Sequence, residues 1–458
     1  MVGPIKVMDC ELSQPLKDIE ELSGYIKLKL LVRLHQRPIG YVDLPVYGDR
    51  CPASEISKAI LEQHSWKIMC ELVYRGLTKP VAPDGLKIED LLQLQPSTFE
   101  GPEPIVTVAV CTRDRTDDLA ICLDSLQKLE YPAVEILVVD NAPSNQKTKK
   151  LVTTKYPDVR YVVEPRPGLD WARNRAILEA KGEIIAYTDD DVVVDAHWAT
   201  ALAQLFAENE NVMAATGLVV PYELETDAQI TFEMYGGFGR GFERIWCRRD
   251  EHAKYFAYHI GAGSLGTGAN MAFRRSLFTK IGIFDPALDV GTVTNGGGDL
   301  DMYYRTIQEG HTLVYEPAAI VRHRHRREYK KLREQIANNG IALYAYFVRN
   351  AIHYPKELKK IVYFGIWWFF RWQIRRLLAS FFRPSVFPRD LIFAEFFGVF
   401  KGLFRYHQAR CAAESVDQIF GPMTPAKMTE ANLKKKAPVK KEAIATSMEN
   451  EKTVGGEQ

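Results

Sequence analysis

Three consecutive carboxylates, Asp189-Asp190-Asp191, follow the apolar run EIIAYT. Adjacent carboxylates repel one another, and at a strand end that repulsion costs stability unless a cation offsets it. Hard oxygen ligands of this kind suit Mg2+ or Mn2+, and Mg2+ is typically held by one or two carboxylates together with substrate phosphates. A diphosphate would complete the coordination shell, and the cation would neutralise it as it departs. The competing reading is a solvated acidic turn; the apolar run just before the triplet favours the cation.

Three further groups have types and spacing suited to chemistry. In EPRPGLDWARNRA, Arg166, Arg173 and Arg175 stand at or near a helix N-terminus. Backbone N–H groups there already favour anions, and arginine adds a planar fork matched to phosphate oxygens. Pairing with surface carboxylates is the plain alternative, and Trp171 could stack on a sugar or simply pack. In Gly296-Gly297-Gly298-Asp299-Leu300-Asp301 the glycines let the backbone bend closely around a ligand. Here the plain alternative is a tight loop with Asp299 as helix cap and Asp301 paired with Arg305. His323 and His325, in VRHRHRR, alternate on an extended segment, so both point the same way; the alternative is a basic surface stretch.

The elements that must position these groups read as α/β. From Ile105 the rhythm is strand, helix, strand, the pattern of a parallel sheet built from βαβ units. Strands are expected at 105–110, 134–139, 159–163 and 183–188, with helices at 117–129, 145–156 and 171–181. IVTVAV is nearly all β-branched, as suits a strand buried on both faces. Each strand ends in polar residues: Thr112-Arg113-Asp114-Arg115, Asp140-Asn141, Glu164-Pro165-Arg166 and the acidic triplet. In such sheets ligands bind beyond the carboxyl ends of the strands. Before this zone, residues 1–100 read as a small α+β accessory domain with strands in 25–34 and 39–46 and a helix over 53–75. A proline-rich linker follows it. Residues 101–328 form the catalytic zone, 329–420 a helical region, and 421–458 a tail too poor in large apolar residues to fold.

Composition sets outer limits. The chain has 458 residues and a formal net charge of +1, which gives no global pull toward nucleic acid. Its seven cysteines are odd in number and form no CxxC pair, so they read as free thiols of a reducing compartment. The first residues lack the apolar core of a signal peptide, and a cytoplasmic protein is expected. The apolar run 361–370 is halted by Arg371, Arg375 and Arg376, too short to span a bilayer. Basic residues beside Trp367, Trp368 and Trp372 suit a helix lying in an anionic membrane surface, against the alternative of an aromatic core helix.

Four motifs occur in an order that resembles family 2 glycosyltransferases: VTVAVCTRDR, EILVVDNAPS, GLDWARNRAILEAKGEIIAYTDDD, and FDPALDVGTVTNGGGDLDMYYRTIQEGHTLVYEPAAIVRHRHR. The resemblance covers about residues 105–327. It implies the GT-A fold (Rossmann-like), a nucleotide-diphosphate sugar donor, a divalent cation (Mg2+ or Mn2+), and an inverting transfer of the hexosyltransferase type. By the same resemblance, Thr112 and Arg113 would lie at the base and ribose, and Asp140 beside Asn141 would hydrogen-bond the base. Arg173 would approach the diphosphate. Asp189 and Asp191 would bracket the DxD motif, Asp191 ligating the metal and Asp190 reaching the ribose or sugar. Asp299 would be the general base, with Gly298 and Asp301 on the acceptor side. Gly298 stands where the family often has Glu, so one carboxylate of a pair is missing. His323 or His325 would touch the metal or the diphosphate. A glycan or lipid-linked acceptor follows, in polysaccharide, glycolipid or cell-envelope glycan synthesis, at the inner face of the membrane. Two rivals are a sugar-phosphate nucleotidyltransferase, disfavoured by CTRDR in place of a glycine-rich loop, and a non-catalytic nucleotide-sugar-binding assembly protein.

Overall fold

The computed structural model describes residues 3–74, 103–249, 259–382 and 388–423. The expected linker and most of the expected unfolded tail lie outside these residues. Strands β1 (Ile5–Glu11), β2 (Lys27–Leu34) and β3 (Arg37–Pro45) form a small sheet covered by helix α1 (Ala53–Tyr74). Its core joins Leu28, Leu30, Val32, Val42, Ile56 and Ile60. The parallel pairing of β1 with β2 was not expected from the sequence.

The second sheet has nine strands. Its parallel half comprises β4 (Val106–Thr112), β5 (Val134–Asn141), β6 (Arg160–Glu164) and β7 (Ile184–Asp189), each within two residues of its expected start. Helices α2 (Thr116–Leu126), α3 (Lys147–Lys155) and α4 (Leu169–Glu179) connect them. Every residue of β4 is buried. Val106, Val108 and Val110 face a core with Leu119, Leu123 and Trp198, while Ala109 and Cys111 face one with Ala172, Ala176 and Ile177. Helices therefore cover both faces, which is why the run is apolar without alternation. From β4 the chain moves outward through β5 and β6, then returns to pair β7 on the other side of β4. This is a topological switch point, and the crevice opens at the carboxyl ends of β4 and β7.

Beyond β7 the sheet continues with β8 (Val192–Val194), β9 (Val212–Pro221), β10 (Ile245–Cys247), β11 (Asn270–Arg274) and β12 (Thr312–His323). Strand β11 pairs antiparallel with both β7 and β9, while β12 lies parallel to β9. The architecture is a mixed α/β sheet, its parallel half covered by helices on both faces, followed by a helical C-terminal region. β12 breaks register between Glu316 and Ile320, the stretch holding Pro317, which lacks a ladder donor. It then resumes antiparallel to β8, with His323 opposite Val192. That pairing, and the Arg324 N–H donated to the Asp191 carbonyl (3.1 Å), delivers His323 to the acidic triplet.

Two long helices, α8 (Tyr329–His353) and α10 (Arg389–Phe420), pack side by side, and α9 (Leu358–Trp368) lies against α8. Before them in the chain come α5 (Trp198–Glu208), α6 (Asp227–Tyr235) and α7 (Gly298–Gln308). Among the described residues no helix is long and apolar enough to cross a membrane. All seven cysteines are free.

Candidate active site

At the end of β7 the triplet divides. Asp189 and Asp191 turn toward His323, and a ligand atom from each of the three lies within 4.8 Å of the others. His323 Nε2 stands 3.4 Å from Asp191 Oδ1. Asp190 turns the other way: it accepts from Thr112 Oγ1 (2.7 Å) and from Arg115 Nη1 (2.5 Å). The Arg115 guanidinium also donates to Asp191 (3.0 Å), so it neutralises part of the triplet from one side. Burial, against the pull of Arg115, raises the Asp190 pKa to about 7; burial and then Asp191 raise that of Asp189 to about 6. Burial disfavours the charge on Asp191 too, but His323, Arg115 and Arg326 outweigh it and hold its pKa below the ordinary value. Burial pushes His323 down to about 4, so its imidazole is neutral at neutral pH. Two carboxylates and a neutral imidazole form a donor set that fits a divalent cation, with Arg115 relieving only part of their charge.

The nucleotide-side residues expected from sequence take different places. Asp140, at the end of β5, is fully buried; one oxygen accepts from Tyr161 (2.6 Å) and Oδ1 has no partner. Asn141 is taken up by the chain itself: its amide donates to the Arg166 carbonyl (2.7 Å) and accepts from Gly168 N–H (2.8 Å). Arg113 is exposed just past β4. Arg166 does not face the crevice. It pairs with the buried Glu164 (2.8 Å), covers the Trp171 ring and donates to the Gly421 carbonyl (3.0 Å), tying down the end of α10. Trp171 is accordingly buried, and Arg175 pairs with Glu179 one turn on.

A cavity of about 570 Å3 is lined by Asp189, Arg173, Asp299 and His323 and also by Trp368 and Trp372 of the C-terminal helical region. Gly296 and Gly297 hold φ of 135° and 111°, the left-handed region, and bend the chain so that α7 begins against this cavity. Asp299, in the first turn of α7, accepts the Gly268 N–H at Oδ2 (2.8 Å) and the Leu300 N–H at Oδ1 (2.9 Å). Both oxygens are thereby oriented by backbone. Arg173, fully buried, donates to Asp170 Oδ1 (3.0 Å); burial works against its charge, but Asp170, Asp189 and Asp299 outweigh it and keep it cationic. A side chain at Gly298 would collide with the Asp170 carboxylate. The expectation that Asp301 serves the acceptor gives way to a structural role. It is fully buried, away from the cavity, between Arg305 Nε (2.8 Å) and Arg349 Nη1 (2.8 Å).

Sequence reasoning missed Arg115, Asp170 and Glu233. Arg115 did lie inside the quoted CTRDR motif, and Asp170 lay in the arginine segment. Glu233 carried no local signal.

Residues 107–282 match the family model "Glycosyl transferase family 2". Over these residues the chain is similar to family 2 glycosyltransferases. A relative, the glucosyl-dolichyl phosphate glucuronosyltransferase of Haloferax volcanii, is 22% identical over 231 residues, which is 48% of this chain and 69% of the relative. The succinoglycan biosynthesis protein ExoM of Rhizobium meliloti is 24% identical over 222 residues, 47% of this chain and 65% of that one. Among solved structures, a mannosyltransferase from Pyrobaculum calidifontis in complex with GDP-Man and Mn2+ is similar at 18% identity and a TM-score of 0.40, covering 84% of this chain and 92% of its own.

Proposed function

We propose that this protein is a glycosyltransferase that moves a sugar from a nucleotide-diphosphate donor to an acceptor hydroxyl with inversion at the anomeric carbon. The observation that supports it most is the meeting of Asp189, His323, Arg173 and Asp299 on one cavity. Asp189, Asp191 and His323 would hold Mg2+ or Mn2+, which supplies charge neutralisation at the departing diphosphate. Asp140, whose Oδ1 has no partner within the described residues, is assigned to the base, and Thr112 and Arg113 to the rest of the nucleotide end. Asp190, braced by Thr112 and Arg115, forms the floor on the donor side. Arg173 sits between the acids of both ends, so its fixed charge meets the negative charge that develops on the leaving group. Asp299 takes the proton from the acceptor hydroxyl as that oxygen attacks. Its two backbone hydrogen bonds hold the carboxylate in place before any acceptor arrives, so little reorganisation is needed.

We read residues 101–328 as the catalytic domain, 1–100 as accessory, and 329–420 as a membrane-proximal region, with the protein peripheral on the cytoplasmic face. On that region Val362, Tyr363, Ile366 and Phe370 are exposed, as are Phe397 and Phe404 of α10. Lys359, Lys360, Arg371 and Arg375 are exposed among the first group. Aromatic and cationic side chains side by side suit an anionic bilayer surface. Arg376, counted with these cations in the sequence, instead lies buried on the Trp372 ring (3.6 Å). Because the cavity's Trp368 and Trp372 belong to the same segment, a lipid-linked acceptor in glycolipid or cell-envelope glycan synthesis fits best.

A donor screen measuring nucleoside diphosphate release with and without EDTA tests the reaction; turnover that EDTA leaves untouched would remove the cation from it. Co-sedimentation with phosphatidylglycerol vesicles tests the surface. Ile366→Glu with Phe370→Glu should lose binding while the melting midpoint holds. Truncation before α8 is a poor test, because Tyr346, Phe347 and Val399 belong to the main core.

A further inference from the structure

Behind the proposed cation site a buried relay leads away from it. His323 Nδ1 lies 3.0 Å from His325 Nδ1, and His325 Nε2 lies 2.8 Å from Glu233 Oε1. The relay is held rigidly. Phe238 packs edge-on against both rings (5.0 and 5.9 Å between centroids), and Phe232 packs on His325 (4.7 Å). The His325 side chain is 1% exposed and that of Glu233 25%. The two rings lie side by side, His323 ending β12 and His325 just beyond it, but only His323 belongs to the acidic cluster.

We propose that Glu233 and His325 are positioning residues that fix the tautomer of His323 so that its Nε2 lone pair faces Asp189 and Asp191. The inference rests on the cation reading above. A carboxylate only accepts, and a neutral imidazole donates from one nitrogen and accepts at the other. Glu233 therefore keeps the proton of His325 on Nε2. His325 Nδ1 is then an acceptor, which requires His323 Nδ1 to carry the proton. The nitrogen left without one is His323 Nε2, beside Asp191. Each hydrogen bond fixes the sense of the next, so a carboxylate on α6 orients a ligand on β12. Run in the opposite sense, the relay would put a proton on Nε2 and make His323 a hydrogen-bond donor to Asp191, useless as a ligand.

The full-length chain with Mn2+ alone as probe tests this, free Mn2+ being followed by electron paramagnetic resonance. Asp191→Asn should abolish binding. Glu233→Ala should weaken it about 10- to 100-fold, the usual effect of removing a group that orients a metal ligand, with the metal-free melting midpoint unchanged. Glu233→Gln keeps an acceptor oxygen and should recover part of the loss. Long-range proton–nitrogen spectra of histidine-labelled protein should show His323 protonated on Nδ1, and that signature should disappear in Glu233→Ala. Unchanged Mn2+ affinity in Glu233→Ala, or a wild-type His323 protonated on Nε2, overturns the relay alone. A wild-type chain that binds no Mn2+ overturns the cation site, and the tautomer spectrum then decides the relay by itself.

Discussion

The carboxylate of Asp170 fills the space that a side chain on Gly298 would need. Asp170 is 1% exposed, its Oδ1 accepts from Arg173 (3.0 Å), and its Oδ2 has no partner. The glycine that interrupts the family's acidic pair is thus matched by a carboxylate arriving from α4, beside the same Arg173 and Asp299. Gly298 has an ordinary backbone conformation, so alanine there meets steric rather than conformational resistance. Gly298→Ala should cost about 1–3 kcal/mol in urea unfolding, the range for overpacking a core. In an Asp170→Gly background the same change should cost clearly less, since contacting residues are non-additive. Equal costs in the two backgrounds would show that the two residues do not compete for this space.

Asp299→Asn isolates the proposed base. The amide oxygen can still accept one of the two backbone hydrogen bonds, so the fold should hold, while proton removal is lost. Turnover should fall about 10²- to 10⁴-fold, the usual share of general base catalysis. Mn2+ affinity should stay within twofold, because Asp299 is outside the Asp189–Asp191–His323 cluster. Wild-type turnover in this variant would remove the assignment.

The parallel half of the sheet was legible because its strands are buried on both faces and end in polar residues at one edge. Strand β1 was not, since only its pairing with β2 distinguishes it from a loop. In the site, Asp189 and Asp191 stood out because carboxylates follow an apolar run. Asn141, Arg166 and Asp301 had equally suggestive types and neighbours, yet they fasten loops or neutralise buried partners. Residue type and spacing do not say whether a side chain meets a cavity or an arginine 48 residues away, as Asp301 meets Arg349. Glu233 lies 92 residues from His325 in sequence, so only the folded chain brings them together.

Stability of the metal-free protein should depend on pH in a defined direction. Burial, first among the causes, raises Asp170 to about 7, Asp189 to about 6 and Asp190 to about 7. The folded state therefore binds more protons than the unfolded chain, whose carboxyls titrate at about 3.9. The stabilisation is fully present below that value and is lost as pH rises through about 6 to 7. Asp191 and His323, both lowered, act in the opposite sense, but they are two groups against three. The melting midpoint in EDTA should fall between pH 5 and pH 8. Mn2+ should flatten the profile, because it stabilises ionised ligands. A midpoint that rises with pH across this window in EDTA would contradict the burial of these three groups.

The accessory sheet meets the catalytic sheet through charge as well as apolar contact. Arg33 of β2 pairs with Asp195 (2.7 Å) and Asp9 (3.1 Å), and Arg322 of β12 also reaches Asp195 (3.5 Å). Arg33 and Asp195 are almost fully buried, and Arg322 directly precedes His323. Removing one member of a buried pair costs about 3–5 kcal/mol, because the other charge is left uncompensated. Asp195→Ala should approach that figure, since it leaves Arg33 and Arg322 sharing the single carboxylate of Asp9. Arg33→Met should cost less, because Arg322 still faces Asp195. Combining Arg33→Met with Asp195→Leu should recover much of the Asp195→Ala loss, as an apolar pair leaves no charge behind. Both single variants should also weaken Mn2+ binding if the network holds the end of β12 in register with β8. Full Mn2+ affinity in a destabilised Asp195→Ala chain would show that the interface supports the fold and leaves the cation site to β8 alone.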